Sequence, residues 1–282
     1  MNSVKRSKPE RYVEWAMQDC NVLRYDYQTK QAQAVQDQVV LEVPVALVYN
    51  GISHAVMMAS PADLEDFALG FSLSEGIIDQ VAQLYDCEII CHSQAQSAFE
   101  LRLQIASSCF ERLKLKRRNL YGNSACGLCG IDSLQSVQLT VPAKNHGALI
   151  RFSSLAVQRA AEQLRQGQMV AQLTGASHAA ASFSRQGEIL QVREDVGRHN
   201  AMDKLIGACR DEIDQLRQCG VLLSSRASFE LLSKAVSMAI PLVACISAPS
   251  SAAIALAQHY GITLCGFVRQ HGLVVYSGEL EF

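Results

Sequence analysis

Residues 221–267 read VLLSSRASFELLSKAVSMAIPLVACISAPSSAAIALAQHYGITLCGF, and this stretch decides the fold. Short apolar segments in it alternate with segments in which apolar residues have helical spacing. Such alternation is typical of βαβ units, in which helices cover a mostly parallel sheet. Similar segments outside the stretch extend the pattern, so we predict an α/β fold with a final edge strand at 273–276. The predicted strands are 189–192, 221–224, 242–246 and 262–267, and the predicted helices are 153–166, 201–209, 229–239 and 251–259.

The first part of the chain has a different pattern, which predicts a smaller β-rich region. Residues 39–49 alternate β-branched and polar side chains, and Asn50-Gly51 then predicts a two-residue hairpin turn into a strand at 54–59. Pro61 and the acidic residues after it predict the start of a helix that ends near Gly76. Two further strands are predicted at 84–92 and 98–105.

These patterns divide the chain into four parts, which differ in composition. We expect a polar, partly disordered N-terminal segment (1–37), a β-rich N-terminal subdomain (38–110), a flexible basic loop (111–135) and an α/β domain (136–282).

Composition and charge exclude several classes of protein. The 282 residues are 49% hydrophobic and 18% charged, which is typical of a globular protein. The net charge of −2 argues against a nucleic-acid binder that depends on overall positive charge. Since no run of about 18 apolar residues occurs, we expect no transmembrane helix.

The ten cysteines have irregular spacing, and the N-terminal residues do not have the pattern of a signal peptide. We therefore do not expect a disulfide framework. Free thiols of this kind are typical of a reducing compartment, and we predict a cytoplasmic protein. Four of the cysteines lie in apolar or helical surroundings and are predicted to be buried small hydrophobic residues, namely Cys209, Cys219, Cys245 and Cys265.

Cys126 and Cys129 stand apart, because glycines flank both of them in the sequence GNSACGLCG at 122–130. A zinc site would need four ligands, and the CxxC motif supplies only two of them. The candidates for the other two lie on a predicted strand, where their spacing is poorly suited to bind the same ion. We therefore predict no metal. Five basic residues between 112 and 118 would lower the pKa of a nearby thiol. Thiol–disulfide exchange and the carriage of sulfur as a persulfide both remain open from the spacing. The rejected metal-site candidates are Cys87, Cys91 and His92.

A second set of polar residues follows the predicted strands. Since ligands of open α/β sheets bind at the carboxyl ends of strands, we predict a pocket there. Hydroxyl groups and arginines at strand-to-helix junctions form anion sites, and several along one edge suggest a large phosphorylated ligand that contains a nucleotide. The predicted pocket residues are His178, Arg198, His199 and Arg226, and the strand end at 266–272 adds an aromatic residue, an arginine and a histidine.

Five motifs in this order resemble the FdhD/NarQ family of formate dehydrogenase accessory proteins. They are CGLCG from Cys126, TGASHAA from Thr174, EDVGRHNAMDK from Glu194, SSRASFELLSK from Ser224 and GITLCGFVR from Gly261. Two small departures are Ser225, where the family usually has glycine, and Ser250, where threonine is common.

The resemblance implies a cytoplasmic sulfurtransferase with a fold similar to that of cytidine deaminases, without their zinc residues. Such a protein takes sulfur from a cysteine desulfurase as a persulfide and passes it to the molybdenum cofactor, bis(molybdopterin guanine dinucleotide) or Mo-bisMGD, for formate dehydrogenase. It also implies a homodimer, with no structural metal, no nucleic-acid partner and no membrane insertion. By the same resemblance Cys126 carries the persulfide, Cys129 assists, and the α/β domain binds the cofactor through Phe267, Val268, Arg269, Gln270, His271 and Gly272.

Two alternative functions fit the same residues. A non-catalytic chaperone that binds the molybdenum cofactor would need the pocket but not the thiols. A CxxC thiol–disulfide oxidoreductase would need both cysteines equally, and a disulfide between Cys126 and Cys129 would accumulate.

Overall fold

The structure is a computed structural model that describes residues 16–92, 98–121 and 150–282. It has a mixed α/β architecture. The strands, in chain order, are β1 (Met17–Asp26), β2 (Gln31–Val40), β3 (Val43–Tyr49), β4 (Ile52–Ala59), β5 (Leu84–His92), β6 (Ala98–Ile105), β7 (His178–Phe183), β8 (Ile189–Asp195), β9 (Gly220–Leu223), β10 (Leu242–Cys245), β11 (Thr263–Arg269) and β12 (Gly272–Ser277). The helices are α1 (Leu64–Ser74), α2 (Ser107–Tyr121), α3 (Ser154–Gly167), α4 (Met169–Thr174), α5 (Arg198–Ala208), α6 (Ile213–Leu216), α7 (Phe229–Ser237) and α8 (Ser251–Tyr260).

The C-terminal part is built on a six-stranded sheet with the order β12-β11-β10-β9-β7-β8. Only β9, β10 and β11 run parallel to one another, and the remaining neighbours pair antiparallel. The prediction of a mostly parallel sheet is therefore wrong. Short turns join β7 to β8 and β11 to β12, and a short turn can connect only antiparallel strands. The final strand does lie at an edge, as predicted.

Strand β7 was not predicted, although it lies inside the sheet. Its sequence is HAAASF, and alanine is depleted in strands. Both faces of this strand are buried, because Ala180 belongs to one core cluster while Ala179 and Ala181 belong to another. A strand buried on both faces has no alternation of polar and apolar residues, so periodicity does not reveal it.

The N-terminal part contains a four-stranded sheet with the order β4-β3-β6-β5. The hairpin turn between β3 and β4 falls on Asn50 and Gly51, as predicted. Both residues have positive φ, 46° and 82°, which the type I′ turn requires and which Asn-Gly adopts at low cost.

Residues 17–40 form a two-stranded antiparallel hairpin, β1–β2. This hairpin was not predicted, because its polar, Gln-rich sequence lacks the apolar alternation of a strand that covers a core. It occupies much of the segment 1–37 that was expected to be polar and partly disordered.

The basic segment from residue 111 was predicted to be a loop, and this is wrong as far as Tyr121, the last described residue of helix α2. Cys109 and Leu113, four residues apart, are both buried, so the helix has one face on the core. Leucine, lysine and arginine also favour helices. Residues 122–149, which include Cys126 and Cys129, lie outside the described residues.

One core connects the two larger sheets. Helix α3 covers one face of the six-stranded sheet, and α5, α7 and α8 cover the other. Helix α1 packs on α5 and also on the inner face of the four-stranded sheet. The helices α1 and α5 approach closely because Gly70 faces the Asp203 carbonyl and Gly207 faces the Asp66 carbonyl. The proposed division of the chain into subdomains stays a prediction.

We expect Gly207→Ala to lower the free energy of unfolding by about 3 kcal/mol, because a Cβ atom there would collide with the Asp66 carbonyl and force the two helices apart. Urea unfolding measures this change. Gly167→Ala is the matched control, since its Cβ would make only an ordinary contact of 3.4 Å with Val192. If the two variants were equally stable, the close approach of α1 and α5 would be wrong.

Candidate functional site

The site lies along the row of strand ends on one side of the six-stranded sheet, where β8, β9 and β10 end and β7 begins. This row of strand ends is called the polar edge. The loop after β9 joins β7, since Ser224 N donates to Ala179 O at 2.9 Å. The loop after β10 joins β11, since Phe267 N donates to Ser247 O at 2.9 Å. The strand-to-helix junctions expected from the sequence therefore form one continuous surface.

Three of the four predicted pocket residues form a cluster at this edge. His178 begins β7 and pairs with Asp195 at the end of β8, and Arg198 and His199 open helix α5. Burial lowers the pKa of both histidines, and the Arg198 guanidinium lowers it further. Arg226 lies in the loop after β9 at the same edge, with its side chain exposed.

Several buried polar atoms of this cluster make no hydrogen bond within the part of the chain that the structure describes. They are Arg198 Nε, His199 Nε2 and Ser228 Oγ. His199 Nε2 does approach Glu230 Oε2, but the 3.6 Å between them is longer than a hydrogen bond. Because buried polar groups are normally satisfied, these atoms indicate where a polar ligand could bind.

Two helices begin at the site without a side-chain cap. Gly197 precedes α5 and has no side chain that could cap it, and the Ser228 side chain, which precedes α7, accepts no hydrogen bond from the first turn. By contrast, Ser250 caps α8 through Ala253 N at 3.2 Å. Uncapped first turns present backbone N–H groups and a positive dipole end, which is the chemistry of an anion site.

Phe267 has an unusual backbone conformation. Its φ of 52° lies in the left-handed region, which is strained for an aromatic residue, and it falls where the pairing of β11 with β12 is irregular. Its side chain is 42% exposed. This backbone conformation therefore leaves the aromatic ring exposed at the site instead of buried in the sheet.

The other residues of the predicted cofactor segment differ in exposure. Val268 is fully buried among residues that pack against α3, so its side chain contacts the core rather than a ligand. Arg269, Gln270, His271 and Gly272 are exposed at the end of β11 and in the turn to β12.

A fully buried ion pair holds the turn that precedes α5. Lys204 Nζ lies 2.6 Å from Asp195 Oδ2, and both side chains have no solvent exposure. Asp195 also accepts hydrogen bonds from Gly197 N at 2.7 Å and Ser60 N at 3.0 Å. Lys204 donates to Ser60 O at 2.9 Å. The pair thus fixes the start of α5 to the loop that leads into α1.

A second buried network lies between α5, α7 and the end of α1. Lys234 Nζ lies 3.0 Å from Asp203 and 2.6 Å from Glu75, and Ser74 Oγ donates to Asp203 at 2.6 Å. Burial raises the pKa of Asp203 to about 6. Burial alone would lower the pKa of Lys234, but the two carboxylates outweigh it and raise that pKa.

These buried partners and Glu230 were not predicted. A lysine with apolar neighbours in a helix, as Lys204 has in Ala201, Leu205 and Ala208, does signal burial with a partner. The contact with Ser60 is not a local property, since Ser60 and Lys204 lie 144 residues apart.

Most cysteines that the structure describes are poorly suited to act as thiolates. Cys209, Cys219, Cys245 and Cys265 are buried, as predicted. Burial raises the pKa of Cys245 to about 11 and that of Cys265 to about 12. Within residues 16–92, 98–121 and 150–282, no group of three or more His, Cys, Asp or Glu residues could hold a metal ion. Over the same residues, no helix is both long and apolar enough to cross a membrane.

Comparison with known proteins relates the chain to one family. The model of the FdhD/NarQ family matches residues 40–281. The sulfur carrier protein FdhD of Cupriavidus necator is 48% identical over 86% of this chain and 82% of its own length. The protein of the same name from Acinetobacter baylyi is 49% identical over 87% of this chain and 88% of its own length.

A solved structure has the same fold. The crystal structure of a protein described as a formate dehydrogenase accessory protein, from Desulfotalea psychrophila, superposes with a TM-score of 0.68. It is 19% identical, and the superposition covers 93% of this chain and 97% of that protein, so this likeness supports the fold alone. The likeness to cytidine deaminases stays a prediction. The extent of the family match and the identity to its curated relatives show that this chain belongs to the FdhD/NarQ family.

Proposed function

We propose that this protein accepts sulfur from a cysteine desulfurase as a persulfide and transfers it to Mo-bisMGD, the molybdenum cofactor of formate dehydrogenase. The observation that carries this proposal is the 48–49% identity to relatives that are named sulfur carrier proteins. The polar edge of the six-stranded sheet supports the cofactor-binding part. The reducing cytoplasm is the compartment that free thiols favour.

The first step would load Cys126. Its thiolate attacks the outer sulfur of the desulfurase persulfide, the S–S bond of the donor breaks, and the donor leaves as a thiolate. Cys126 then carries the sulfur as Cys–S–SH. The basic residues that precede the CxxC motif would favour the thiolate.

The second step would release the sulfur to the cofactor. The Cys129 thiolate attacks the inner sulfur of the Cys126 persulfide, so that a disulfide forms and the outer sulfur leaves as HS⁻ for the bound molybdenum cofactor. A cellular thiol reductant must then reduce the disulfide before the next cycle.

The cofactor would bind at the polar edge as a substrate. Arg198 and the uncapped first turns of α5 and α7 are suited to hold its phosphates, with Arg226 and Arg269 at the exposed rim. Phe267 is suited to stack on a guanine ring. The partners of this function would be a cysteine desulfurase and a formate dehydrogenase.

Intact mass spectrometry tests the proposal after the protein is incubated with a cysteine desulfurase and cysteine. The wild type should gain one sulfur atom, which a thiol reductant removes. Absence of that gain in a protein that still binds GDP, which carries a guanine and a diphosphate, would replace the proposal with the chaperone function. A Cys126–Cys129 disulfide that accumulates without sulfur gain would instead favour the oxidoreductase.

We expect Phe267→Gly to weaken GDP binding by about tenfold, which corresponds to the loss of one aromatic–base stack. The same change should leave thermal stability equal or higher, because glycine adopts the positive φ of this position without strain. Calorimetry and thermal unfolding measure the two effects. Val274→Ala, on the exposed surface of β12, is the control that should change neither. Loss of stability in Phe267→Gly would contradict the strain argument.

We expect the affinity for GDP to rise as the pH falls from neutral. The pKa values of His178 and His199 lie below the usual histidine value, so both are neutral near pH 7 and gain charge only in more acidic solution. The phosphate of GDP also titrates near pH 6, so the wild type is compared at each pH with a His178→Asn, His199→Asn variant. The ratio of the wild-type affinity to the variant affinity should rise severalfold as the pH falls from 7.5 to 5.5. A ratio that stays constant would exclude both histidines from phosphate binding.

A further inference from the structure

The side chain of Glu230 brings a negative charge into the polar edge, next to the residues suited to hold phosphates. It lies in the first turn of helix α7, and its Oε2 atom is 3.6 Å from Nε2 of His199. The side chain of Glu230 is 45% exposed and that of His199 is 30% exposed, so a ligand could reach both. A carboxylate in this position repels a phosphate group that approaches the same turn.

The other carboxylates near this edge are already bound by positive or polar groups of the protein. Asp195 and Asp203 form buried ion pairs with lysines. Glu194 accepts hydrogen bonds from two backbone N–H groups at the start of α4, each at 2.9 Å. All three carboxylates are buried. Glu230 differs from them because it is partly exposed and because its contact with His199 is longer than a hydrogen bond.

The polar groups around Glu230 are not fully used by it. Arg198 Nε and His199 Nε2 are buried, and neither makes a hydrogen bond within the part of the chain that the structure describes. Lys234, one helical turn after Glu230, is held instead by two other carboxylates, so its charge is already neutralised. A phosphate group, which has more acceptor oxygens than a carboxylate, could satisfy the remaining groups more completely.

The charge of Glu230 also stabilises the protein when no ligand is bound. Burial alone would raise the pKa of Glu230, but its own backbone N–H, Ser228 and His199 outweigh that effect and lower the pKa, so the side chain is ionised at neutral pH. A carboxylate in the first turn of a helix interacts favourably with the positive end of the helix dipole. Because α7 has no side-chain cap, Glu230 supplies the negative charge at this helix end.

We propose that Glu230 is a resident anion of the polar edge, which takes the place of a ligand phosphate in the empty protein and is displaced when a phosphorylated ligand binds. The inference rests on the proposed function in one respect, namely that the ligand carries phosphate groups. The side chain can turn away without a change of the backbone, because it has three rotatable bonds and is partly exposed. Glu230 therefore lowers the affinity for phosphates below that which the basic residues alone would give, as suits a protein that has to release its cofactor.

Replacing Glu230 by glutamine tests the proposal on the full-length protein, because glutamine keeps the size of the side chain and removes its charge. Calorimetry should show that Glu230→Gln binds GDP and inorganic pyrophosphate about tenfold more tightly than the wild type. Guanosine has no phosphate, so its affinity, measured by ligand-observed NMR, should not change. The matched control is Glu279→Gln, which removes an exposed carboxylate at the opposite end of the sheet, close to the start of β11, and should change none of these affinities.

The same variant should be slightly less stable than the wild type when no ligand is bound. Its melting temperature should fall by about 1–2 °C, because the first turn of α7 loses the carboxylate at its positive end. Glu279→Gln should keep the melting temperature of the wild type. Lower stability together with tighter binding distinguishes a resident anion from a residue whose loss distorts the site, since distortion would weaken binding as well.

Several outcomes would overturn the proposal. An unchanged affinity of Glu230→Gln for GDP and pyrophosphate would mean that the carboxylate does not compete with phosphates. A weaker affinity would mean that Glu230 itself holds the ligand, through a guanine amino group or a bridging cation. Equally tighter binding of guanosine would mean that the shape of the site had changed rather than its charge. These three results would leave the proposed function intact, whereas failure of both proteins to bind GDP or pyrophosphate would also overturn its cofactor-binding part.

Discussion

Replacing Lys204 by alanine is expected to lower the free energy of unfolding by about 4 kcal/mol, because it leaves the fully buried Asp195 carboxylate without its counter-charge. The loss also removes the hydrogen bond from Lys204 Nζ to Ser60 O. Urea unfolding, with the slope held equal for both proteins, measures the difference.

The matched control is Lys114→Ala. Lys114 also lies on a helix and pairs with a carboxylate, Glu111, but at the surface, so its loss should cost less than about 1 kcal/mol. A double variant, Asp195→Asn with Lys204→Met, removes both charges and keeps most of the volume. It should be more stable than Lys204→Ala, because no unpaired charge remains buried. If Lys204→Ala were as mild as Lys114→Ala, the buried pair would not hold the turn before α5.

The double variant, Asp195→Asn with Lys204→Met, also tests whether the buried pair affects ligand binding. Arg198 and His199 begin α5 directly after the turn that Asp195 holds through Gly197 N. The double variant, if folded, should therefore bind GDP less tightly than the wild type even though neither substituted residue is exposed to the ligand. Unchanged affinity would mean that the first turn of α5 is positioned by packing alone.

The parts of the fold that could be predicted from the sequence are those set by local chemistry. Asn50-Gly51 determines its own turn, Ser153 caps α3 through Ala156 N, and the apolar strands β9, β10 and β11 differ clearly from the helices between them. Strand β7 escaped prediction because alanines buried on both faces have no period. The prediction of a mostly parallel sheet was wrong chiefly because it missed β7, which pairs antiparallel with both β8 and β9.

Most residues of the candidate site could be predicted because they lie next to strands. The prediction was incomplete because the partners of these residues could not be found from the sequence. His178, Arg198, His199 and Arg226 follow or precede strands, and the topology of the sheet places such positions on one edge. Glu230 lies far in the sequence from His199, and Ser60 lies far from Lys204, and a single sequence contains no signal that joins them. The strain at Phe267 is likewise a tertiary property, since an aromatic residue has no intrinsic preference for positive φ.

Replacing Cys126 by alanine is expected to abolish sulfur loading, whereas Cys129→Ala should still load one sulfur atom but release it slowly. The reason is the assignment of roles: one thiol accepts the sulfur, and the other displaces it by attack on the inner sulfur of the persulfide. Intact mass spectrometry after incubation with a cysteine desulfurase and cysteine measures loading, and the restoration of formate dehydrogenase activity measures delivery. Cys20→Ala and Cys91→Ala are the controls, because both thiols are exposed and lie outside the CxxC motif.

The pattern across these four variants separates the three functions that the sequence left open. Sulfur carriage requires that only Cys126→Ala lose loading and that both controls behave as wild type. An oxidoreductase requires that Cys126→Ala and Cys129→Ala fail equally, since a disulfide needs both thiols. A chaperone requires that all four variants still restore formate dehydrogenase activity. The buried thiols of the described chain do not blur this pattern, because burial raises the pKa of Cys209, Cys245 and Cys265 and keeps them protonated at neutral pH.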